Sequence, residues 1–583
     1  MLRRTFLKLL AAAGAAAARP AAGQDRPPRV VVVGAGPAGF SAALELIERG
    51  VDVHLIEAEA QVGGKVKGWT ETLGDAEVDV EHGIHGWWHQ YVHFTELLKR
   101  YGLDGALNPP DKRGVYRWPG GEIDANSLSG LNQFARLFKA EALSLGYAPF
   151  ATAYRDGMRW LRGLTVDGAR QAIGGLSVAE FHARGAPLTL WRTFARIASH
   201  SMYFLPPEEI DAAEYALAEQ FYFAGGSRNL RCRWLRGNPQ SLIWEPLAEA
   251  FVAQGGRLSL ATRVAEVVVE RGRVIGVRTG DPLPGVKLDD VPAGWTQVDR
   301  EGLPPVFVFR DELHLTAFSG RCTHAGCPLT LVEDGFACPC HGGRFDAEGR
   351  PTAGPPREPL TRLFVDQGAD GVHVEGEGLS DLIPADAVIL ALDVPGLQKV
   401  AGDLLPEVRT LSTCRETVAR FWLDRDVPEG IGHACMFTDL PHASNGFLLH
   451  RLQDRARAWA AQTGGAVIEI QAYRDIPTDA DREALLDLIE ADLRAAWPEL
   501  AEATVLKRTL TDGRTFTRFA PGWYAGALPV ETAVPGLLLA GDHVHIERNC
   551  HFMEKAVTTG RLAANAVLRD HGRPLAPILP ERR

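Results

Sequence analysis

Two short stretches carry the residues best suited to metal chemistry: Cys322-Thr-His324 and Cys338-Pro-Cys340-His341. Each sets a thiol and an imidazole with one or two residues between them, so one loop can present both to one centre. Two thiolates and two imidazoles suit a tetrahedral zinc ion. They equally suit a [2Fe–2S] cluster with sulfur ligands on one iron and nitrogen ligands on the other. A zinc knuckle leaves Cys327 and Cys340 unexplained, two further cysteines at matching places in the two stretches.

The whole run from Cys322 to Phe345 resembles the Rieske proteins of cytochrome bc complexes. That resemblance implies that Cys322 and Cys338 bind one iron and His324 and His341 the other. It also implies a disulfide between Cys327 and Cys340, and a covering loop at Gly354-Pro355-Pro356. High-potential Rieske proteins place a serine two residues after the second histidine ligand and a tyrosine two residues later. Here Gly343 and Phe345 stand there, without hydroxyls. Fewer donors to the cluster sulfurs mean a less stabilised reduced state. The expected potential lies in the lower half of a range of roughly −150 to +300 mV.

A second chemistry-bearing stretch is Gly34-Ala-Gly36-Pro37-Ala38-Gly39. It follows the apolar run Val30–Val33, precedes a helical pattern, and meets an acid, Glu57, at the end of the second apolar run, Val51–Ile56. Strand, glycine turn, helix, strand and acid form a dinucleotide-binding unit. Gly34 allows the turn, Gly36 lets backbone approach a pyrophosphate, Gly39 allows helix packing, and Glu57 takes ribose hydroxyls. Gln61-Val-Gly63-Gly64-Lys65 then resembles the second glycine pair of flavin amine oxidases and carotene desaturases, with Lys65 where that family usually has arginine. His82-Gly-Ile-His85-Gly-Trp-Trp-His89-Gln-Tyr resembles a stretch of the carotene ring desaturases related to isorenieratene synthase, where this segment lies beside the flavin. Val264 looks like the backbone contact to the adenine. Gly541-Asp542 resembles the terminal FAD motif, with Asp542 near the ribityl–pyrophosphate, and Met553-Glu554 opens the last helix toward the flavin. The resemblance thus implies non-covalent FAD held through Gly34, Gly36, Pro37, Ala38, Gly39, Glu57, Gly63, Gly64, Lys65, His85, Val264, Gly541, Asp542, Met553 and Glu554. A rival reading puts His85, His89 and His93, with Glu81, on one helix face around a metal. The resemblance favours the flavin.

These motifs imply an α/β chain. A Rossmann-like FAD-binding domain of the amine oxidase and desaturase type, an α+β substrate domain and an inserted all-β Rieske domain make it up. The expected segments are a signal and linker at 1–28; FAD-binding parts at 29–94, 246–283, 377–400 and 531–571; a helical cap at 95–245; the Rieske domain at 284–376; a substrate-domain sheet and helix at 401–530; and a tail at 572–583. The insertion is entered through the Pro/Gly/Asp-rich linker 281–294. The strand that should follow the hairpin Val264–Val277 arrives only at Ala385–Ala391. Runs at Ala419–Leu423, Phe447–Leu452 and Ala466–Tyr473 read as strands, and Asp479–Trp497 as a helix.

With 46% hydrophobic and 23% charged residues, the chain is globular rather than disordered. Its net charge of −11 argues against nucleic acid as partner. Met1-Leu-Arg3-Arg4-Thr-Phe-Leu-Lys and the alanine-rich run after it resemble a twin-arginine signal. It implies export of the folded protein by the Tat translocase, cleaved or kept as an anchor. The expected function is that of an exported FAD-dependent oxidoreductase. It dehydrogenates a small apolar, carotenoid-like substrate and passes electrons through the cluster to an acceptor such as a c-type cytochrome or quinone. An amine oxidase with a Rieske outlet and a non-enzymatic electron carrier are the alternatives. An aromatic, carboxylate-poor cavity would favour the first. An acidic or aromatic cage beside the flavin would favour the second, and no cavity at all the third. The local sequence points to no catalytic residue.

Overall fold

The computed structural model describes residues 26–109, 114–118, 121–124, 147–185, 192–224, 232–280, 292–300, 303–310, 315–324, 327–368, 371–375, 382–429, 432–437, 440–474, 476–477 and 480–581. Residues 1–25 of the expected signal and 281–291 of the linker lie outside them. Among the described residues no helix is long and apolar enough to cross a membrane.

β1 (Arg29–Val33), α1 (Pro37–Ile47) and β2 (Asp52–Ile56) form the expected unit. β1 is buried on both faces because it runs in the middle of a five-stranded parallel sheet, between β2 and Ala387–Leu390, with Arg257–Ser259 and Leu537–Leu539 at the edges. Central parallel strands of this kind are near-continuous in apolar residues, as Arg-Val-Val-Val-Val is. α2 (Val92–Arg100) and α3 (Phe552–Asp570) complete the layer. A Cβ on Gly560 of α3 would stand 2.2 Å from the Ala38 carbonyl oxygen, so α1 and α3 touch through backbone there. Arg561, fully buried, pairs with Glu45 of α1 at 2.7 Å and with Glu96 of α2, while Arg100 reaches Glu45 at 2.6 Å. Burial works to raise the Glu45 carboxyl. The guanidinium groups of Arg100, Arg561 and Arg49 outweigh it and hold the carboxyl below its ordinary value.

The insertion is seated where expected. Arg263–Glu270 and Arg273–Gly280 form a hairpin, and Ile383–Pro384 pairs antiparallel with Gly276 and Val277. The chain therefore leaves a three-stranded sheet after Gly280 and returns to the same strand from the inserted module, a surface site where insertions are tolerated. The module has a five-stranded sheet (Gly294–Arg300, Leu303–Arg310, Leu315–Ser319, Arg362–Gly368, Gly371–Glu375) and a four-stranded one (Thr330–Val332, Gly335–Ala337, Arg344–Phe345, Pro351–Ala353). Phe307, Phe318, Phe336, Phe345, Leu329 and Leu360 fill its core around Cys322 and Cys338.

A seven-stranded sheet faces the FAD-type layer. Its order is Val505–Thr517, Thr413–Leu423, Ala466–Ala472, Ala443–Leu448, Ala434–Phe437, Gly114–Trp118 and Gly121–Asp124, with the helix Arg482–Ala496 packed on it. Two expectations change here. The cap segment 95–245 is not purely helical, because Gly114–Trp118 pairs in parallel with Ala434–Phe437 from far along the chain. The run Phe447–Leu452 is a strand only to Leu448, and Leu449–Leu452 turns into a short helix. The histidine-helix alternative also fails. Gly86–Trp88 is a strand paired with Cys232–Trp234, and α2 starts only at Val92, so His85, His89 and His93 share no helix face.

Candidate active site and cluster centre

A cavity of about 660 Å³ opens between the parallel sheet and the seven-stranded sheet. Its first half is a nucleotide cradle. Gly34 has φ +99°, and a Cβ on it would stand 2.5 Å from the Ala391 carbonyl oxygen, so the turn needs glycine. A Cβ on Gly36 would meet little, at 3.7 Å from Gly64 Cα, because Gly36 faces open cavity. No side chain caps α1, so its first N–H groups remain for an anion. Glu57 accepts from Ala35 N–H (2.7 Å) and Glu59 N–H (2.9 Å). Burial raises its carboxyl above the ordinary value. On the far side Asp542 takes a hydrogen bond from Thr517 Oγ1 (3.0 Å) and faces Lys65 Nζ at 3.6 Å. Burial pushes this carboxyl up, but Lys65, His543 and Lys555 outweigh it and hold it well below the carboxylate range. An acid at the strand end, an uncapped helix N-terminus and a glycine-bare floor fit FAD.

The predicted contacts Gly34, Gly36, Pro37, Ala38, Glu57, Gly64, Lys65, His85, Val264, Gly541, Asp542 and Met553 all line this cavity. Three do not. A Cβ on Gly39 would stand 1.8 Å from the Gly34 carbonyl oxygen, which is the helix-packing role and not a contact. A Cβ on Gly63 would strike the Trp244 ring at 2.7 Å, so Gly63 lets that ring support the glycine loop. Glu554 is a correction. Its carboxylate accepts from His93 N–H (2.8 Å), Phe94 N–H (3.1 Å) and His93 Nδ1 (2.8 Å), so it caps α2 and is not open to the flavin. The tail has a related task, since Leu579 N–H donates to the other nitrogen of the same ring, His93 Nε2, at 3.0 Å.

The second half of the cavity is aromatic. Phe204 and Phe516 have ring centroids 4.1 Å apart, Phe204 and Tyr473 3.8 Å, and Phe516 and Phe552 5.8 Å. Trp88, Tyr222 and Phe447 continue the wall. Phe204 and Phe552, at φ 61° and 50°, hold a left-handed backbone that a bulky residue adopts only when its surroundings enforce it. Sequence reasoning missed the sheet side of this wall, Phe447, Tyr473 and Phe516, and its polar members Asn445, Gln471 and Glu416. They sit on separate strands, and nothing local marks them. At the junction of the halves, burial and the charges of Lys67 and Lys65 push His82 down to about 4, and burial with His82 beside it pushes His85 down to about 3. Both rings are neutral near pH 7.

In the inserted module the four expected ligands come from two neighbouring loops. The rings of His324 and His341 lie 5.0 Å apart, edge to face and exposed, while Cys322 and Cys338 are 2% exposed. Buried sulfur and exposed imidazole fit a cluster with one inner and one outer iron. Burial works to raise the Cys338 thiol, but the N–H groups of His341 and Cys340 pull it below its ordinary value, as suits a thiolate ligand. The sulfurs of Cys327, Cys338 and Cys340 lie within 4.8 Å of one another. Cys327 and Cys340 are free thiols in this structure, so the expected disulfide is not formed in it. The two loops nonetheless bring these sulfurs together.

A profile described as flavin containing amine oxidoreductase matches residues 37–290 and 358–568. The chain belongs to that family. The gap in the match is filled by a Rieske [2Fe-2S] domain matching residues 283–364, so this flavoprotein carries FAD and a [2Fe–2S] cluster and is an oxidoreductase. It is 30% identical over 602 residues to the carotenoid phi-ring synthase of Chlorobaculum tepidum, covering 95% of this chain and 91% of that one. It is 28% identical to the carotenoid phi-ring synthase of Streptomyces griseus, covering 94% and 88%. Among solved structures it is similar to a putrescine oxidase (TM-score 0.55, 13% identity, 93% of this chain and 99% of that one). Cyclohexylamine oxidase of Brevibacterium oxydans is another (TM-score 0.54, 16% identity, 94% and 100%). At these identities the structures speak for the fold alone.

The two missing hydroxyls set the expectation for the cluster's potential. Phe345 is 2% exposed in the core that holds both cysteine ligands, and a Cβ on Gly343 would stand 2.8 Å from Pro356 Cγ. Phe345→Tyr adds a hydroxyl without adding a branch, and should raise the potential from its expected place in the lower half of the roughly −150 to +300 mV range. Gly343→Ser should raise it too, but must first displace Pro356. Protein-film voltammetry reads both shifts. A wild-type value near the top of the range would show that other dipoles set the cluster.

Proposed function

We propose that this flavoprotein dehydrogenates the end group of a carotenoid-like polyene and that the electrons leave through its Rieske domain. One observation carries the reading: the second half of the cavity is walled by aromatic rings and has a single charged side chain among the described lining residues of the sheet and cap, Glu416. A long apolar polyene gains by burying its surface there. A small amine, a cation in water, would find one carboxylate and no acidic cage. The phi-ring synthases at about the same length support the same substrate class. Bound FAD supplies a two-electron acceptor and the cluster a one-electron carrier. The chain's own part is to orient the substrate between Phe204, Phe516 and Tyr473, exclude water, and keep His82 and His85 uncharged beside it. Anaerobic addition of a ring-bearing carotenoid in detergent should bleach the oxidised flavin absorption, while putrescine and cyclohexylamine should not. Bleaching by the amines alone would reverse the reading.

Export through the twin-arginine signal, toward a c-type cytochrome or quinone as acceptor, is part of the same proposal. Lysine at both Arg3 and Arg4 should leave the protein in the cytoplasm, and unchanged export would reject it.

A further inference from the structure

Glu416 stands out in an otherwise uncharged wall. It lies on Thr413–Leu423 at a register slip, where pairing passes from Cys414–Phe516 to Glu416–Gly513. Thr515 N–H (3.0 Å) and Thr515 Oγ1 (2.7 Å) donate to Oε1, and Phe516 N–H donates to Oε2 (3.2 Å). Three donors fix the position of the carboxylate, yet the residue still lines the cavity. The nearest cationic candidate is His82, with Nε2 3.8 Å from Oε1. Burial and the lysine charges depress that ring, so it stays neutral and does not itself balance the carboxylate. Lys65, the neighbouring lysine on the wall, faces Asp542 instead.

A register slip needs an acceptor, but not a charged one open to the substrate space. A buried charge is costly unless something balances it. A neutral polyene offers nothing to balance, but its oxidation does. Loss of a ring hydrogen with its electron pair, to the two-electron acceptor that bound FAD would supply, would leave one positive charge on the conjugated skeleton. A preorganised anion in a water-poor site stabilises such a charge far more than water does.

We propose that Glu416 is the fixed counter-charge for a cationic state of the substrate, with Phe516 and Tyr473 flanking it. This deepens the proposed dehydrogenation and rests on it. The test is binding, read by fluorescence quenching in the FAD-loaded protein without turnover. Two probes of one shape are compared: a cyclohexene ring on an apolar polyene chain, and its N-methylated tetrahydropyridinium counterpart. The wild type should prefer the cation on the order of tenfold or more, as sites complementary to a transition state prefer its analogues. Glu416→Gln should lose that preference and bind the neutral probe within about twofold of the wild type. Equal affinities in the wild type would overturn the proposal whether or not the variant folds. A cation preference that survives Glu416→Gln would overturn it as well. Failure of the neutral probe to bind either protein would instead overturn the polyene reading itself.

Discussion

A Cys338→Ser protein should purify with its flavin and without its [2Fe–2S] signal. The Cys338 sulfur is buried with Cys322 among Phe307, Phe336 and Phe345, where the two thiolates would hold the inner iron. Neighbouring N–H groups favour its thiolate. A serine hydroxyl does not ionise near neutral pH and is a hard ligand where iron–sulfur chemistry needs a soft one. The flavin cradle lies on the parallel sheet, whose strands include none from the inserted module, so FAD content should hold. Iron and labile sulfide analysis, electron paramagnetic resonance of the reduced protein and the flavin spectrum give the three readings. A full-strength signal in the variant would reject Cys338 as ligand, and zinc without iron in the wild type would reject the cluster. Cys340→Ser is the contrasting case. Cys340 is exposed, and it is a disulfide partner only by resemblance. That variant should keep the signal but lose it faster on heating, and identical heat lability would reject the disulfide.

Gly39→Ala and Gly36→Ala should fail in different ways, although both change one glycine of the same motif. At Gly39 the new Cβ would be driven to 1.8 Å from the Gly34 carbonyl oxygen, a backbone atom that cannot swing aside. Either α1 moves off β1 or the turn opens. The cost should reach about 3 kcal/mol, at the upper end of overpacking, and with it most of the FAD. At Gly36 the nearest atom is 3.7 Å away, so alanine fits the bare protein. The methyl group then occupies the space where the pyrophosphate must approach. That variant should melt like the wild-type apoprotein and take up FAD far more weakly. Thermal unfolding with and without FAD, and flavin fluorescence titration, separate the two. A Gly39→Ala protein as stable as wild type would show that the helix has room that the structure denies it. Normal FAD affinity in Gly36→Ala would place the pyrophosphate elsewhere.

The cradle and the cluster loops were legible because their chemistry is local. A glycine turn, an acid at a strand end, and a cysteine one residue from a histidine each work within a few residues, so spacing alone exposes them. The host domain's broken order was legible too, since the strand Ala387–Leu390 returns only after the inserted module. Glu554 shows where this reading stops. Its place at the start of α3 suggests a flavin contact, but its carboxylate accepts from the N–H groups at the start of α2. Gly114–Trp118 likewise shows no sign in the chain that its partner is Ala434–Phe437.

The amino-acid order by itself determined the two cofactors, the splice between them and the family. What it left open is the space the substrate enters. Phe204, Glu416, Tyr473 and Phe516 lie at a helix end, on two strands and just past a third, and no local pattern joins them. Only the pairing of Thr413–Leu423 with Val505–Thr517, and the closing of that sheet over the flavin cradle, bring them to one wall. Such contacts are non-local, and their cost is the entropy of joining distant segments, which no short window of residues reveals.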